Sequence, residues 1–329
     1  MKLFLVSASL LFFSLTPSTR EFELVETSGL QWFKGNTHAH TTKSDGDSPP
    51  EVVALWYKNH GYRFLVISDH NVFTDPKTLS SLMDSSFLLI PGEELTSGYQ
   101  KKPVHINGLN IPHVLDPQQD SSLLGTIQKN IDEVRRVEGA PHINHPNFRW
   151  AIDQETLLRV QRYRLLEIFN GHPLVNNYGG GGKPSVEQMW DVLLTNGHRV
   201  YGIAVDDAHH FKEEFAAHRS NPGKGWVSVR ARSLNAQEIV RNLEAGLFYA
   251  STGVELKDVL VAKQTITISI AEKSDAKFRT DFIGDNGKIL LHSEENPAVY
   301  QLRDDVKYVR AKVYDSAGSV AWVQPVFVR

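Results

Sequence analysis
From residue 32 to about residue 208, short apolar runs alternate with stretches of helical periodicity. The runs lie at 33–38, 64–68, 87–91, 104–111, 140–145, 165–170 and 200–205. They are bounded by Gly, Pro, Asn or Asp, and each has His, Asp or Glu at its end or within two residues beyond it. Such runs between turn residues predict buried strands. Between them, Pro49-Pro50-Glu51 opens a helix over 52–60, with proline early and an acid in the first turn. Residues 120–138 carry Leu123, Leu124, Ile127, Ile131 and Val134 at helical spacing. Residues 184–196 carry Val186, Met189, Trp190, Leu193 and Leu194 before a stop at Gly197. Repeated strand–helix units imply a parallel sheet. Seven of them imply a closed or nearly closed α/β barrel, whose chemistry collects where the strands end. Gly179-Gly180-Gly181-Gly182 fits neither helix nor strand interior and is expected near the barrel mouth, as a substrate loop or a linker.

After Gly225 the pattern changes. Residues 235–245 predict one more helix, and beyond Ser251 only strand-like stretches remain, at 259–262, 265–270, 288–292, 308–314 and 321–328. Turn signals such as Asp285-Asn286-Gly287 and Asp315-Ser316-Ala317-Gly318 separate them, which predicts an antiparallel β-sandwich. A chain of 329 residues accommodates one barrel and a small appended module. The expected division is a signal peptide at 1–20, a barrel at 21–250 and a sandwich at 251–329. The signal peptide is read from Met1-Lys2, the apolar run at 3–15 and the polar stop at Pro17-Ser18-Thr19. That run is too short to span a bilayer comfortably. A buried N-terminal helix is the alternative reading. No small-x-small site marks the cleavage point, which falls near 16–20.

Composition narrows the partners. An apolar content of 41% and a charged content of 22% are those of a globular chain, neither disordered nor membrane-embedded. A formal net charge of -3 makes no electrostatic case for a nucleic acid polymer, so the expected partner is a small molecule. Stable membrane insertion is not expected once the signal is removed. The chain has no cysteine; an exported protein without disulfides fits a bacterial periplasm or the cell exterior.

The candidate chemistry sits at the strand ends. His38-Ala39-His40 puts two imidazoles on one face of a strand, both able to reach one ion. Alone this is a weak signal, but further strands end in Asp69-His70, Glu93-Glu94, His105, His142 with His145, and Asp206-Asp207-x-His209. Imidazole with carboxylate suits Zn, Mn or Fe better than Ca or Mg, and the absence of thiolates argues against a structural zinc site.

Taken in order, Thr37-His38-Ala39-His40, Ser44-Asp45-Gly46, Ile67-Ser68-Asp69-His70 and Gly92-Glu93-Glu94 resemble the successive motifs of the polymerase and histidinol phosphatase (PHP) superfamily. Val104-His105-Ile106-Asn107, His145-Pro146 and Asp207-Ala208-His209 continue the series. The resemblance covers residues 32–212 and implies a distorted (β/α)7 barrel holding two or three divalent ions, Mn, Fe or Zn. It implies one ion on His38, His40, Glu93 and Asp207, a second on Glu93, His105 and His145, and a third on Asp45, His70 and His209. Glu93 would bridge the first two. Asp45 stands where some relatives carry His. The segment 225–253 also looks like the one that precedes a β-sandwich in a secreted subset of the family.

Around this set, Asp206 is expected to point away from Asp207 by strand alternation, and Glu94 and Asp69 to orient ligand imidazoles by accepting their free N–H. His142 is expected behind the ligands. Glu167, Asn170 and His172 close a strand and can line the pocket, with His172 placed to touch substrate. Arg149 and Lys183 are candidate phosphate binders, with a solvated surface charge as the alternative for each. His60, His113, His198, His210, His218 and His292 read as surface or packing residues. The implied activity is a metal-dependent phosphoesterase in which a hydroxide held by two or three ions attacks. The chain offers no cysteine and no Ser-His-Asp pattern as a protein nucleophile. Hydrolysis of an amide or sugar ester, or metal-dependent binding without catalysis, are the alternatives.

Overall fold
The computed structural model describes residues 22, 27–213 and 215–328, so the signal-peptide reading at 1–20 lies outside the described residues. The first half runs β1 (Gln31–Asn36), α1 (Pro50–Asn59), β2 (Phe64–Val66), β3 (Leu88–Ile90), β4 (Gly92–Tyr99) and β5 (Lys102–Leu109). It continues with α2 (Leu123–Arg136), β6 (Ala140–Ile143), α3 (Gln154–Leu157), β7 (Leu165–Asn170), α4 (Val186–Thr195) and β8 (Tyr201–Val205). The helices start where their caps dictate. Ser122 accepts the Gly125 N–H at the head of α2, and Ser185 and Gln188 form a reciprocal capping box on α4. Each buries one stripe: Ile127, Ile131 and Val134 on α2, and Met189, Trp190, Leu193 and Leu194 on α4.

The strands do not form one parallel array. β4–β8 make a five-stranded sheet in sequence order, with β6, β7 and β8 parallel but β4–β5 and β5–β6 antiparallel. The reason is local. β4 reaches Tyr99 and turns at Gln100, whose φ is 56°, straight into β5, and so short a connection can join only antiparallel neighbours. β1, β2 and β3 pair in parallel in a second sheet. The two sheets meet through parallel bridges between Ala39 and Ala208 and between His70 and Glu94, just beyond the ends of β1, β8 and β2. One apolar core runs between them, from Phe64, Val66 and Ile90 to Leu95, Ile106, Ile143, Leu166 and Val205.

The second half adds β9 (Trp226–Ala231), α5 (Ala236–Glu244), β10 (Phe248–Ser251), β11 (Leu256–Val261), β12 (Thr265–Ile270) and β13 (Phe278–Gly284). β14 (Lys288–Ser293), β15 (Ala298–Gln301), β16 (Tyr308–Asp315) and β17 (Val320–Phe327) complete the chain. The strands beyond Ser251 are antiparallel and two-layered, yet the larger layer is not separate from what precedes it. β10 pairs with β17, so one nine-stranded sheet runs β14-β13-β16-β17-β10-β9-β1-β2-β3. The three-stranded sheet β11-β12-β15 covers part of it, through Ile266, Ile268 and Tyr300 against Phe282, Val309, Val313 and Val323. Across the junction, fully buried Arg310 donates to both Asp191 carboxylate oxygens at 2.7 Å, and Tyr308 adds a third bond to the same group at 2.8 Å. Among the described residues no helix is long and apolar enough to cross a membrane.

Candidate metal centre
Beyond β1 the chain bends at Thr37, where Asn36 Oδ1 takes the His38 N–H at 2.8 Å, and the bridge of Ala39 to Ala208 leaves His38 and His40 on one side. The following turn is held by Asp69, which accepts from Thr41 N, Thr41 Oγ1 and Ser44 Oγ, each at 2.7 Å. That turn presents Asp45. Gly46 closes it, and a Cβ there would lie 2.7 Å from the carbonyl carbon and oxygen of His40. Two other candidate ligands sit on strained backbone, with φ of 25° at His145 and 49° at Asp207.

The centre of the cluster is one carboxylate. Glu94 is wholly buried; its Oε2 lies 3.4 Å from His38 Nε2, 3.4 Å from His40 Nε2 and 2.9 Å from His70 Nδ1. Its Oε1 lies 3.0 Å from His105 Nδ1 and 3.4 Å from His145 Nε2. Asp207 Oδ1 stands 3.4 Å from His38 Nε2 and 3.2 Å from His40 Nε2, and those two ring nitrogens face each other at 3.1 Å. Ligand bonds of 2.0–2.2 Å place neighbouring donor atoms around one ion about 3.0–3.4 Å apart, which is this spacing. Two of these groups, Glu94 Oε2 and His105 Nδ1, are buried without a well-directed hydrogen bond among the described residues. A second group forms at the rim, where half-exposed Asp45 lies 3.3 Å from His209 Nε2 and 3.6 Å from His40 Nδ1 and His70 Nε2. The donor set therefore fits divalent ions.

Charge supports the same reading. Burial opposes ionisation of Glu94, yet His105, His38 and His70 hold its carboxyl well below the usual range, and Asp207 behaves likewise beside His38. Burial disfavours a proton on His70, but Glu94 and Asp45 outweigh it and lift its pKa to about 10. In His40, burial and the neighbouring His209 prevail and the pKa falls to about 4. The carboxylates thus stay ionised and gather positive charge, as protons or as metal.

The fold brings His38, His40, Asp45, His70, His105, His145, Asp207 and His209 together. It does not bring Glu93. The Glu93 carboxylate turns to the other side of β4 and accepts the Leu115 N–H at 2.6 Å, so the central position expected of Glu93 is held by Glu94. Asp69 holds the turn of Thr41 and Ser44 rather than an imidazole. Asp206 does face away, accepting from Tyr57 OH, Lys224 N and Gly225 N. His142 is buried behind His38, with ring centroids 6.2 Å apart. His172 lies at the rim, 5.4 Å from His209 between ring centroids. Arg149 is exposed, its guanidinium 5.5 Å from the ring of Phe148, and that ring touches His145 and His172. Lys183 is exposed on a cleft with Gln154, Gln188 and Asn286, apart from the cluster. Supporting contacts that sequence reasoning assigned only as pocket lining, or passed over, include Glu167 on His38 Nδ1, Asn144 on Glu94, Asn170 on Asp207 and Thr96 on His70. Period-two spacing from Glu94 is the signal that could have raised Thr96; Asn144, next to His145, carries no such signal.

No protein-family model matches the chain, and no curated protein matches it in sequence. Among solved structures it is similar to an amidohydrolase from Chromobacterium violaceum, with 13% identity over 57% of this chain and 93% of the other, at a TM-score of 0.39. A protein from Bifidobacterium adolescentis assigned as a metal-dependent phosphoesterase has 13% identity over 64% of this chain and 95% of its own, at a TM-score of 0.41. A two-domain protein from Bacteroides vulgatus containing a predicted PHP-like metal-dependent phosphoesterase matches over 89% of this chain and 93% of its own. The identity is 16% and the TM-score 0.50. At that identity the likeness concerns the fold: this chain shares its architecture with a two-domain PHP-like protein.

Proposed function
We propose that this chain is a metal-dependent phosphoesterase that holds two or three ions of Mn, Fe or Zn. The observation that carries the reading is Glu94, one buried carboxylate on which five imidazoles converge within 3.4 Å. His38, His40, Glu94 and Asp207 would hold one ion, Glu94, His105 and His145 a second, and Asp45, His70 and His209 a third. When bound, such ions neutralise charge on a phosphoryl group and lower the pKa of water to near neutrality. The protein's own contribution at the rim is His172. Burial first, then His209 and His145, outweighs Asp207 and lowers its pKa to about 4, so the ring is neutral at pH 7. Its Nδ1 accepts the Leu174 N–H at 3.2 Å, which leaves the proton on Nε2, where the neutral ring can donate a hydrogen bond to a leaving oxygen but not transfer its proton. His209 is unsuited to that role, because its Nδ1 bonds to the Asp207 carbonyl at 2.9 Å and its Nε2 faces Asp45.

One observation favours a second reading. Among the described residues no lysine or arginine forms an ion pair with the cluster, so no fixed cation beside the ions selects phosphate over an amide or sugar ester. We also read β1–β3 together with β4–β8 as one distorted barrel, and the apolar run at 3–15 as an export signal. Elemental analysis of protein purified without chelator, with hydrolysis assays on phosphomonoesters, phosphodiesters and acylated sugars in Mn, Fe and Zn, tests the proposal. Two or more ions per chain and phosphate release are expected; fewer than one ion overturns it.

A further inference from the structure
We propose that Glu167 is a positioning residue that sets three metal ligands from three different strands at once; the inference rests on the metal-centre reading above. Glu167 is buried within β7, between β6 and β8, and the β7–β8 register shifts immediately after it. Such a bulge re-aims a side chain. Here the carboxylate is aimed at the back of the cluster. Oε1 accepts from His38 Nδ1 at 2.6 Å, and Oε2 accepts the His145 N–H at 2.7 Å and the Asn170 Nδ2–H at 3.0 Å. The same Asn170 amide donates to Asp207 Oδ2 at 3.1 Å.

Each bond fixes something different. With its proton on Nδ1, His38 turns the lone pair of Nε2 toward His40, Glu94 and Asp207. The bond to the His145 N–H holds a backbone whose φ of 25° is unfavourable for any side-chain-bearing residue. Through Asn170, Asp207 is turned so that Oδ1, not Oδ2, enters the cluster. All three groups facing Glu167 are donors, and an ionised carboxylate only accepts. An amide in its place would set an N–H against at least one of them. Burying an ionised carboxylate is costly unless it is fully hydrogen-bonded, and here it is. None of Asp45, His70 and His209 touches Glu167, so its influence divides the cluster: the ions on His38 and His145 depend on it, and the rim ion does not.

The test is zinc titration against a competing chelator for wild type, Glu167→Gln and Asn170→Ala. Loss of about 10–100-fold in zinc affinity is expected for Glu167→Gln, a smaller loss for Asn170→Ala, and in both a remaining rim site of wild-type affinity. Ring-nitrogen NMR of zinc-loaded wild-type protein gives a reading independent of any variant: His38 should carry its proton on Nδ1 with Nε2 bound. A folded Glu167→Gln protein with wild-type zinc affinity, or a His38 protonated on Nε2, overturns the role of Glu167 while leaving the metal centre intact. Wild-type protein that takes up no zinc overturns the metal-centre reading and this inference together.

Discussion

Glu93 and Glu94 differ by one position on β4 and meet opposite environments: five imidazoles surround Glu94, and a single backbone N–H meets Glu93. Glu94→Ala should therefore cost at least one ion per chain and nearly all activity, whereas Glu93→Ala should keep its full metal content; equal metal loss in the two would refute the assignment. Glu93 has a separate signature in stability. Burial raises its pKa to about 7, against the ordinary value of 4.5, and the Leu115 N–H offsets only part of this. Near pH 4 both folded and unfolded chains carry the proton and the group contributes no difference. As pH rises toward 7 the unfolded chain releases its proton first, so stability is lost, and the loss is complete above pH 7. Glu93→Gln in chelated protein should thus be more stable than wild type by about 1–3 kcal/mol at pH 8 and by nothing near pH 4. Urea unfolding at the two pH values measures the difference.

Among the elements, the turn between His40 and Gly46 places Asp45, the one carboxylate of the rim group. It is held by Asp69, by the Gly46 N–H to Thr41 carbonyl bond of 2.9 Å and by the close approach of Gly46 to the His40 backbone. A methyl at Gly46 has no room, since the atoms it would meet are main chain. Gly46→Ala should displace Asp45 and lower metal content by one ion while the two inner sites stay filled. Elemental analysis with melting curves checks this; an unchanged ion count would show that the turn tolerates the shift. The β4–β5 hairpin matters in the same way. Its antiparallel register sets Thr96 opposite His105 and Glu94 opposite Asn107, which brings ligands and their hydrogen-bond partners to one edge.

At the scale of the molecule, the strands beyond Ser251 are part of the framework that carries the site. β17 pairs with β10, and Tyr308, Trp322 and Phe327 belong to the same core as Trp190 and Ala204. A chain cut after Gly253 would expose that core and the edge of β10, so poor solubility is expected. Asp191→Ala is a milder probe. It leaves Arg310 fully buried with only Glu187, at 3.0 Å, as counter-ion, and removes the acceptor of Tyr308. A loss of about 2–4 kcal/mol is expected, with metal content unchanged because α4 holds none of the ligands. Metal loss in folded Asp191→Ala protein would mean that the junction acts on the site directly.

What the sequence determined by itself is local. The extents of α2 and α4 follow from Ser122, Ser185 and the 3.6-residue stripes, and His38 and His40 share a side because strand spacing is two. The ligand types, and the strand ends that carry them, were legible for the same reason. The tertiary structure decided what depends on distant pairing. Glu93 and Glu94 are equivalent until β4 is registered on β5 and bridged to His70. The parallel array expected of seven strands gives way at β4 and β5 because the turn at Gln100 is too short for a crossover. One nine-stranded sheet crosses the expected boundary at 250 because β10 finds β17. Glu167 becomes the partner of His38 across 129 positions of chain, a contact that no periodicity encodes because only the packing of β7 beside β6 and β8 creates it.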